Sequence, residues 1–255
     1  MTNINVSDYV LLAEASYTDF SQGLSKEDIN KALSESTEET KNLVDYITNN
    51  YEVEAHWKDQ PSGFSGTLFR KIKEKVKKEG MEYVLALRGT NGGKDIFVTD
   101  IGDIVNDGLA HHQIVDMYNF WQQITAPKGE PYDVMRITTL SGKENSLLNN
   151  ILSTFSTSIG EIMADSLKKE ILHDEKILRA IRDINPDAEG LFVDSGEIKL
   201  IKRERSDNLY QFGDERRLGL GIPVSKVTTT GHSLGGICLR HSPACFPIKR
   251  NIPIW

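Results

Sequence analysis

The sequence predicts an α/β protein with a mostly parallel central sheet, and three observations favour this class. The chain has 255 residues, of which 38% are hydrophobic and 26% charged, a composition typical of one large globular domain over 1–255. The run Y-V-L-A-L, Tyr83 to Leu87, is continuous and apolar, as in strands that are buried on both faces. The β-branched segment Val224 to Thr230 leads directly into Gly231, which indicates a strand that ends in a sharp turn.

The N-terminal half alternates between helical and extended patterns. Ser7 and Asp8 precede apolar residues at helical spacing and predict a capped helix. A more polar helix is expected over Lys26 to Asn50, with Leu33, Leu43, Val44 and Ile47 as its inner face. Three strands are predicted next, and then a helix that ends before the Pro/Gly-rich break A-P-K-G-E-P. These segments are Tyr51 to Trp57, Phe64 to Ile72, Met81 to Arg88 and, for the helix, Thr99 to Ile124.

The middle of the chain carries its longest periodic element. Apolar residues recur every three to four positions from Asn145 to Ile184 and predict helix. This stripe suits either a helical hairpin packed on the domain core or a mobile lid that contacts lipid. A β-hairpin is expected over Leu191 to Arg203, with its turn at Ser195 and Gly196.

Composition also restricts the functional classes. The formal net charge of −7 argues against nucleic acid as a partner. The N-terminus lacks the pattern of a secretory signal peptide and no apolar run is long enough for a membrane span, so we expect a cytoplasmic protein, with export by a signal-less route as the alternative. The two cysteines, Cys238 and Cys245, do not form a disulfide framework for the domain, and no Cys/His/Asp cluster has metal-ligand spacing. We therefore expect no metal and no cofactor.

The segment V-T-T-T-G-H-S-L-G-G, Val227 to Gly236, predicts a nucleophile elbow. Its glycines Gly231, Gly235 and Gly236 permit a sharp strand-to-helix turn, with Ser233 at the apex and His232 beside it. In that geometry the backbone N–H of Leu234 points at the oxyanion of an acyl-transfer intermediate. A serine in an ordinary glycine turn is the alternative interpretation.

A second oxyanion donor is expected after the third strand, where the sequence reads A-L-R-G-T. Gly89 allows close approach of the backbone, and Thr90 offers a backbone N–H and a hydroxyl. R-G-T alone is common, and its pairing with G-H-S-L-G-G downstream makes it specific.

With these two motifs the chain resembles the class 3 lipases, the fungal-type triacylglycerol lipase family of the α/β-hydrolases. The close matches are Leu87 to Thr90 and Thr230 to Gly236, with a looser match over Tyr51 to Gly236. The resemblance implies an α/β-hydrolase fold, with Ser233 as nucleophile and Thr90 and Leu234 as oxyanion-hole donors. It makes His232 an elbow residue and not the catalytic base.

The resemblance also leaves two features open. Asp107, in D-I-V-N-D, matches an acidic stretch of the family, or is a solvated carboxylate on a helix face. The spacing from Thr90 to Ser233 is longer than the family usually needs, which implies that 145–203 is a helical and hairpin insertion.

The C-terminal residues depart from the family pattern. In α/β-hydrolases the triad Asp and His follow the serine on later strands, for which 237–255 leaves no room. We therefore expect this chain to lack the triad Asp and His, and its central sheet to be incomplete there. His241 lies where the helix after the elbow should run, and His56, His111, His112 and His173 precede Ser233, so we expect surface or structural histidines. Codons compatible with Ile237 to Lys249 spell a small, apolar helical phrase in a shifted frame, and we hypothesise a frameshift after Gly236 and an aberrant tail over 237–255.

The resemblance implies a serine hydrolase of lipid carboxylic esters, of triacylglycerol lipase or phospholipase A1 type. Its substrate is a lipid ester or a lipid surface, attacked by Ser233 through an acyl-enzyme. The alternative is a catalytically inactive fragment or a module that binds lipid or a protein partner. An apolar strand edge left open at the C-terminus also predicts poor solubility.

Overall fold

The computed structural model describes 4–20, 25–36, 41–58, 60, 62–72, 82–88, 111–159, 171–194, 196–208 and 218–231. The chain divides into two compact units. Unit 1 comprises Met1–Glu130 and Gly219–Trp255, and unit 2 comprises Pro131–Leu218. Unit 2 is therefore inserted in the chain of unit 1, and its range includes 145–203. Where the chain leaves and re-enters unit 1, the Gly219 N–H donates to the Glu130 carbonyl at 2.9 Å.

Unit 1 contains a four-stranded sheet, called sheet A, with the order β1-β2-β3-β7. β1 (Tyr51–Trp57) pairs with β2 (Gly66–Lys71), and β2 pairs with β3 (Tyr83–Leu87), both antiparallel. β7 (Val227–Gly231) follows a short 3₁₀ turn and pairs with β3 in parallel. All five residues of β3 are buried, as the Y-V-L-A-L run predicted.

Three helices pack on one face of sheet A: α1 (Val6–Ala15), α2 (Lys26–Ser36) and α3 (Lys41–Asn50). Among the described residues, two helices thus occupy the segment predicted as one. The buried residues between helices and sheet form core 1, which includes Leu12, Phe20, Leu33, Ile47, Phe69, Val84 and Ala86. α1 lies against both β3 and β7.

The cap of α1 differs from the prediction. Asn5, and not Ser7, is the N-cap residue: its side chain accepts from the Asp8 N–H at 2.9 Å, and the Asp8 carboxylate accepts from the Asn5 N–H at 3.2 Å. This reciprocal capping box satisfies two backbone donors at once, which a cap at Ser7 would not do.

Helix α4 (His111–Thr125) covers the opposite face of sheet A. Met117, Phe120, Trp121 and Ile124 pack with Leu68, Leu85, Leu87 and Val227 in a second cluster, core 2. Gly66 on β2 is required here, because a Cβ at this position would lie 2.9 Å from Phe120 Cε1. The helix was predicted over Thr99 to Ile124, of which 99–110 lie outside the described residues.

Unit 2 contains a three-stranded antiparallel sheet, called sheet B, with the order β4-β6-β5. Its strands are β4 (Asp133–Thr139), β5 (Ala188–Asp194) and β6 (Glu197–Arg205). The β5–β6 hairpin confirms the prediction, and Gly196 in its turn has a φ of 83°. β4 was not predicted, because its alternating pattern is weak and follows directly on a Pro/Gly-rich break.

Helices α5 (Gly142–Ile159) and α6 (Glu175–Arg182) pack on sheet B. The core of unit 2 includes Leu148, Ile171, Ile177, Ile181, Leu191 and Leu200. In the described residues, the apolar stripe predicted over Asn145 to Ile184 therefore contributes to a core, which favours packing over a lid for this part of the chain.

The prediction of an α/β-hydrolase fold with a mostly parallel central sheet was wrong. Sheet A has two antiparallel pairs and one parallel pair, and sheet B is entirely antiparallel. A continuous apolar run reports burial on both faces and carries no information on strand direction. The connections from β1 to β2 and from β2 to β3 are shorter than the dozen or more residues that a parallel crossover needs, so these strands pair antiparallel.

Candidate active site

The predicted catalytic segment begins where β7 ends. Gly231, the first elbow residue, is the last residue of β7. The remaining site residues, which are His232, Ser233, Leu234, Gly235, Gly236 and Thr90, lie outside the described residues, as do Asp107 and the tail over 237–255. The structure thus describes β3 and β7, the two strands that precede these residues in the chain.

The parallel pairing of β3 with β7 brings the two predicted motifs together. Leu87 is the register partner of Gly231. Since neighbouring strands lie about 4.8 Å apart, both chains leave the sheet side by side and at the same edge. Thr90 follows Leu87 by three residues, and Ser233 follows Gly231 by two residues. Even a fully extended chain spans only about 7–10 Å over two or three residues. The segments that carry Thr90 and Ser233 therefore both begin at this edge.

The loop between β1 and β2 borders the same edge of sheet A. The Arg88 N–H donates to the Ser65 carbonyl at 3.0 Å, and the Ser65 hydroxyl donates to the Trp57 carbonyl at 3.1 Å. These bonds fix the first residue after β3, so the backbone that leads to Thr90 starts from a defined position.

Helix α4 also forms hydrogen bonds with the loop between β1 and β2. The Ser62 hydroxyl donates to the Asp116 carboxylate at 2.6 Å, and the Gln113 side-chain amide donates to the Ser62 carbonyl at 2.9 Å. The first described turn of α4, with His111 and His112, therefore lies near the edge at which β3 and β7 end. β3, α4 and β7 form a β-α-β unit, whose crossover includes the whole of unit 2.

His56 on β1 is a structural histidine, one of the two roles that the sequence predicted. Its side chain is 4% exposed, with Nδ1 3.0 Å from Thr67 Oγ1 and Nε2 3.5 Å from Asp19 Oδ1. Burial lowers the pKa of His56 to about 4; the Asp19 carboxylate opposes this shift, and the positive charge of Arg88 adds to it. His56 is thus a neutral imidazole near pH 7.

His56 lies far from β7, the strand that precedes the predicted nucleophile. β1 is three strands away from β7, which corresponds to about 14 Å across the sheet, whereas a general base must lie within about 3 Å of the proton that it removes. The Thr67–His56–Asp19 group has the residue types of a catalytic triad, but Thr67 is fully buried and out of contact with any substrate.

A hydrogen bond that the sequence does not predict fixes the end of β7. The Thr230 hydroxyl donates to the Tyr9 carbonyl of α1 at 3.2 Å. Nothing in the local sequence indicates this pair, because one partner is a backbone oxygen and the two residues are separated by 221 positions.

Within the described ranges, no group of three or more His, Cys, Asp or Glu side chains is arranged to hold a metal ion. None of the helices in those ranges combines the length and the apolar character that a bilayer span requires. Comparison of the chain with protein-family models, with curated proteins and with solved structures gave no match.

Proposed function

We propose that this protein is a serine hydrolase of lipid carboxylic esters, with Ser233 as its nucleophile. The observation that carries the proposal is the parallel register of β3 and β7, with Leu87 opposite Gly231. A strand that leads into R-G-T and a strand that leads into G-H-S-L-G-G end next to each other. This is the arrangement that a nucleophile and a separate oxyanion donor need.

The proposed reaction proceeds in two steps. Ser233 Oγ attacks the ester carbonyl carbon, forms a C–O bond and loses its proton to a base, while the ester C–O bond breaks and the alcohol leaves with a proton. Water then attacks the acyl-enzyme carbonyl carbon and gives up one proton, which passes through the base to Ser233 Oγ as the acyl–oxygen bond breaks, so that the carboxylic acid is released and the serine hydroxyl is restored. The backbone N–H groups of Leu234 and Thr90 stabilise the oxyanion in both steps.

The antiparallel pairs of sheet A are compatible with this reaction. Acyl transfer depends on where the nucleophile and the donors lie, and the same catalytic arrangement occurs on unrelated folds. The resemblance to class 3 lipases supports a lipid ester, either a glyceride or a phospholipid, as the substrate class.

Labelling with a fluorophosphonate probe tests the proposal directly. We expect the wild type to be labelled and Ser233→Ala to remain unlabelled, because the probe forms its bond with an activated serine. Ser34→Ala, at an exposed serine of α2, is the matched control and should be labelled like the wild type. Mass spectrometry of the labelled peptide should locate the adduct on Ser233.

Release of fatty acid separates the substrates. Triacylglycerol emulsions and phosphatidylcholine vesicles are incubated in parallel with the wild type and with Ser233→Ala, and free fatty acid is measured. Release of fatty acid that depends on Ser233 supports the proposed hydrolase activity. The lipid from which the fatty acid is released identifies the substrate class. Equal labelling of wild type and Ser233→Ala, with no release from either lipid, would contradict the proposal in favour of an inactive or purely binding protein.

A further inference from the structure

The carboxyl end of β7 is attached to helix α1 by a side-chain hydrogen bond. Thr230 Oγ1 lies 3.2 Å from the Tyr9 carbonyl oxygen, and Thr230 is 8% exposed. Tyr9 lies inside α1, and its carbonyl oxygen has two lone pairs, so it can accept from Thr230 in addition to its helical bond. The bond joins the residue just before Gly231 to a packed helix.

The position of the bond on β7 is specific. Thr228 and Thr230 are the register partners of Val84 and Ala86, both members of core 1, so both threonines lie on the α1 side of sheet A. Among the described residues, the Thr228 hydroxyl makes no hydrogen bond, whereas the Thr230 hydroxyl does. In the described part of the chain, the side-chain tether of β7 thus lies at the end of the strand that precedes the predicted nucleophile.

Helix α1 is a firm anchor for such a tether. The Asp8 carboxylate is fully buried, and it accepts from the Tyr46 hydroxyl of α3 and from Lys71 Nζ of β2, the latter at 3.2 Å. With the capping box at Asn5, these bonds hold α1 to the helix layer and to sheet A. A group bonded to Tyr9 is therefore held relative to β3 as well, because α1 lies against both β3 and β7.

We propose that Thr230 is a positioning residue, which through the Tyr9 carbonyl tethers the end of β7 to α1 and so fixes the point at which the chain leaves sheet A towards Ser233. This inference rests on the proposed hydrolase function. The distance between a nucleophile and its oxyanion donors must hold within about 0.5 Å, and a shift of about 1 Å costs up to 100-fold in rate. Gly231 has no side chain to restrain the backbone, so the restraint falls to the residue before it.

The test compares Thr230→Val with Thr228→Val in the full chain. Both changes replace a hydroxyl with a methyl group on the same face of the same strand, and only the first removes the tether. We expect Thr230→Val to be labelled by a fluorophosphonate about ten-fold more slowly than the wild type and to hydrolyse ester with a kcat lowered by a similar factor and a KM within two-fold. Thr228→Val should stay within two-fold of the wild type, and Thr230→Ser, which keeps the hydroxyl, should recover most of the rate.

Hydrogen–deuterium exchange provides a readout that does not depend on activity. Peptides from β7 and from α1 should exchange about five-fold faster in Thr230→Val than in Thr228→Val, as expected for the loss of one buried hydrogen bond. A wild type that is not labelled would overturn the proposed function. Equal exchange in the two variants would overturn the tether, whatever the wild type does, and equal labelling of the two variants would overturn the positioning role.

Discussion

Two buried titratable side chains in unit 1 show how hydrogen bonding decides the charge state of a group. Burial of Asp8 raises its pKa, but hydrogen bonds from partners that include Tyr46 and Lys71 outweigh this, and the pKa falls below its ordinary value. His56 has one carboxylate, that of Asp19, near its ring, and burial dominates, so its pKa falls to about 4. Asp8 is therefore held as an anion and His56 as a neutral base.

His56 makes the stability of unit 1 depend on pH. Its pKa is about 4 in the folded protein and about 6.5 in the unfolded chain, so the unfolded state binds more protons between these values. The free energy of unfolding should therefore fall as the pH decreases from 6.5 to 4. When the pH is lowered from 7 to 5, we expect the free energy of unfolding of the wild type to fall by about 2 kcal/mol more than that of His56→Gln, because the glutamine side chain does not titrate.

Urea unfolding of both proteins at several pH values measures this difference. His56→Gln is the reference because carboxylates titrate in the same range and contribute equally to both proteins. Parallel curves for the two proteins from pH 7 to pH 5 would contradict a buried neutral imidazole.

Local sequence patterns predict some helices and strands of this protein better than others. β1 and the β5–β6 hairpin agree with the sequence, because alternation of buried and exposed residues and a turn glycine such as Gly196 are local signals. β4 has a weak pattern, and pairing with β6 is what defines it as a strand. The cap at Asn5 was missed although Asn5 and Asp8 stand at the spacing of a capping box, which is a local signal.

The contact between β2 and α4 depends on a glycine whose function is not visible in the sequence. We expect Gly66→Ala to lower the free energy of unfolding by about 1–3 kcal/mol, because the added Cβ would lie 2.9 Å from a ring atom of Phe120, which is buried, and 3.2 Å from Leu87. Chemical denaturation measures this change.

Gly190→Ala is the matched control for Gly66→Ala. Gly190 also lies in a strand, β5, and a Cβ there would meet Ile201 at 3.9 Å, an ordinary contact distance. We expect little change or a small gain in stability from this substitution. Equal effects of the two substitutions would show that backbone entropy, and not the contact with Phe120, determines the cost.

On the scale of the whole molecule, the chain builds two units that each have a hydrophobic core. Cores 1 and 2 cover the two faces of sheet A, and a separate cluster lies between sheet B and its helices. Unit 2 begins after Glu130 and ends before Gly219, so residues close in the sequence to β7 belong to another core. Local composition does not reveal such a division, because both units use the same apolar residue types.

Separate cores predict separate responses to cavity mutations. Ile181→Ala, at a fully buried position of unit 2, should destabilise that unit by about 2–5 kcal/mol and accelerate hydrogen exchange mainly in β4, β5 and β6. Leu85→Ala, at an equally buried position of β3, should accelerate exchange mainly in sheet A. If both variants accelerated exchange uniformly in both sheets, the two cores would not be independent.

The sequence by itself determined some local elements of this protein, such as the strands around Y-V-L-A-L and V-T-T-T-G, and it predicts the Ser233 and Thr90 motifs that follow them. Propensity, periodicity and glycine spacing are properties of neighbouring residues, so a sequence shows them directly. Only the tertiary structure decided the register of Leu87 with Gly231 and the bond between Thr230 and Tyr9. These features depend on backbone groups that lie far apart in the chain, where pairing follows from how the layers pack and not from the identity of adjacent residues.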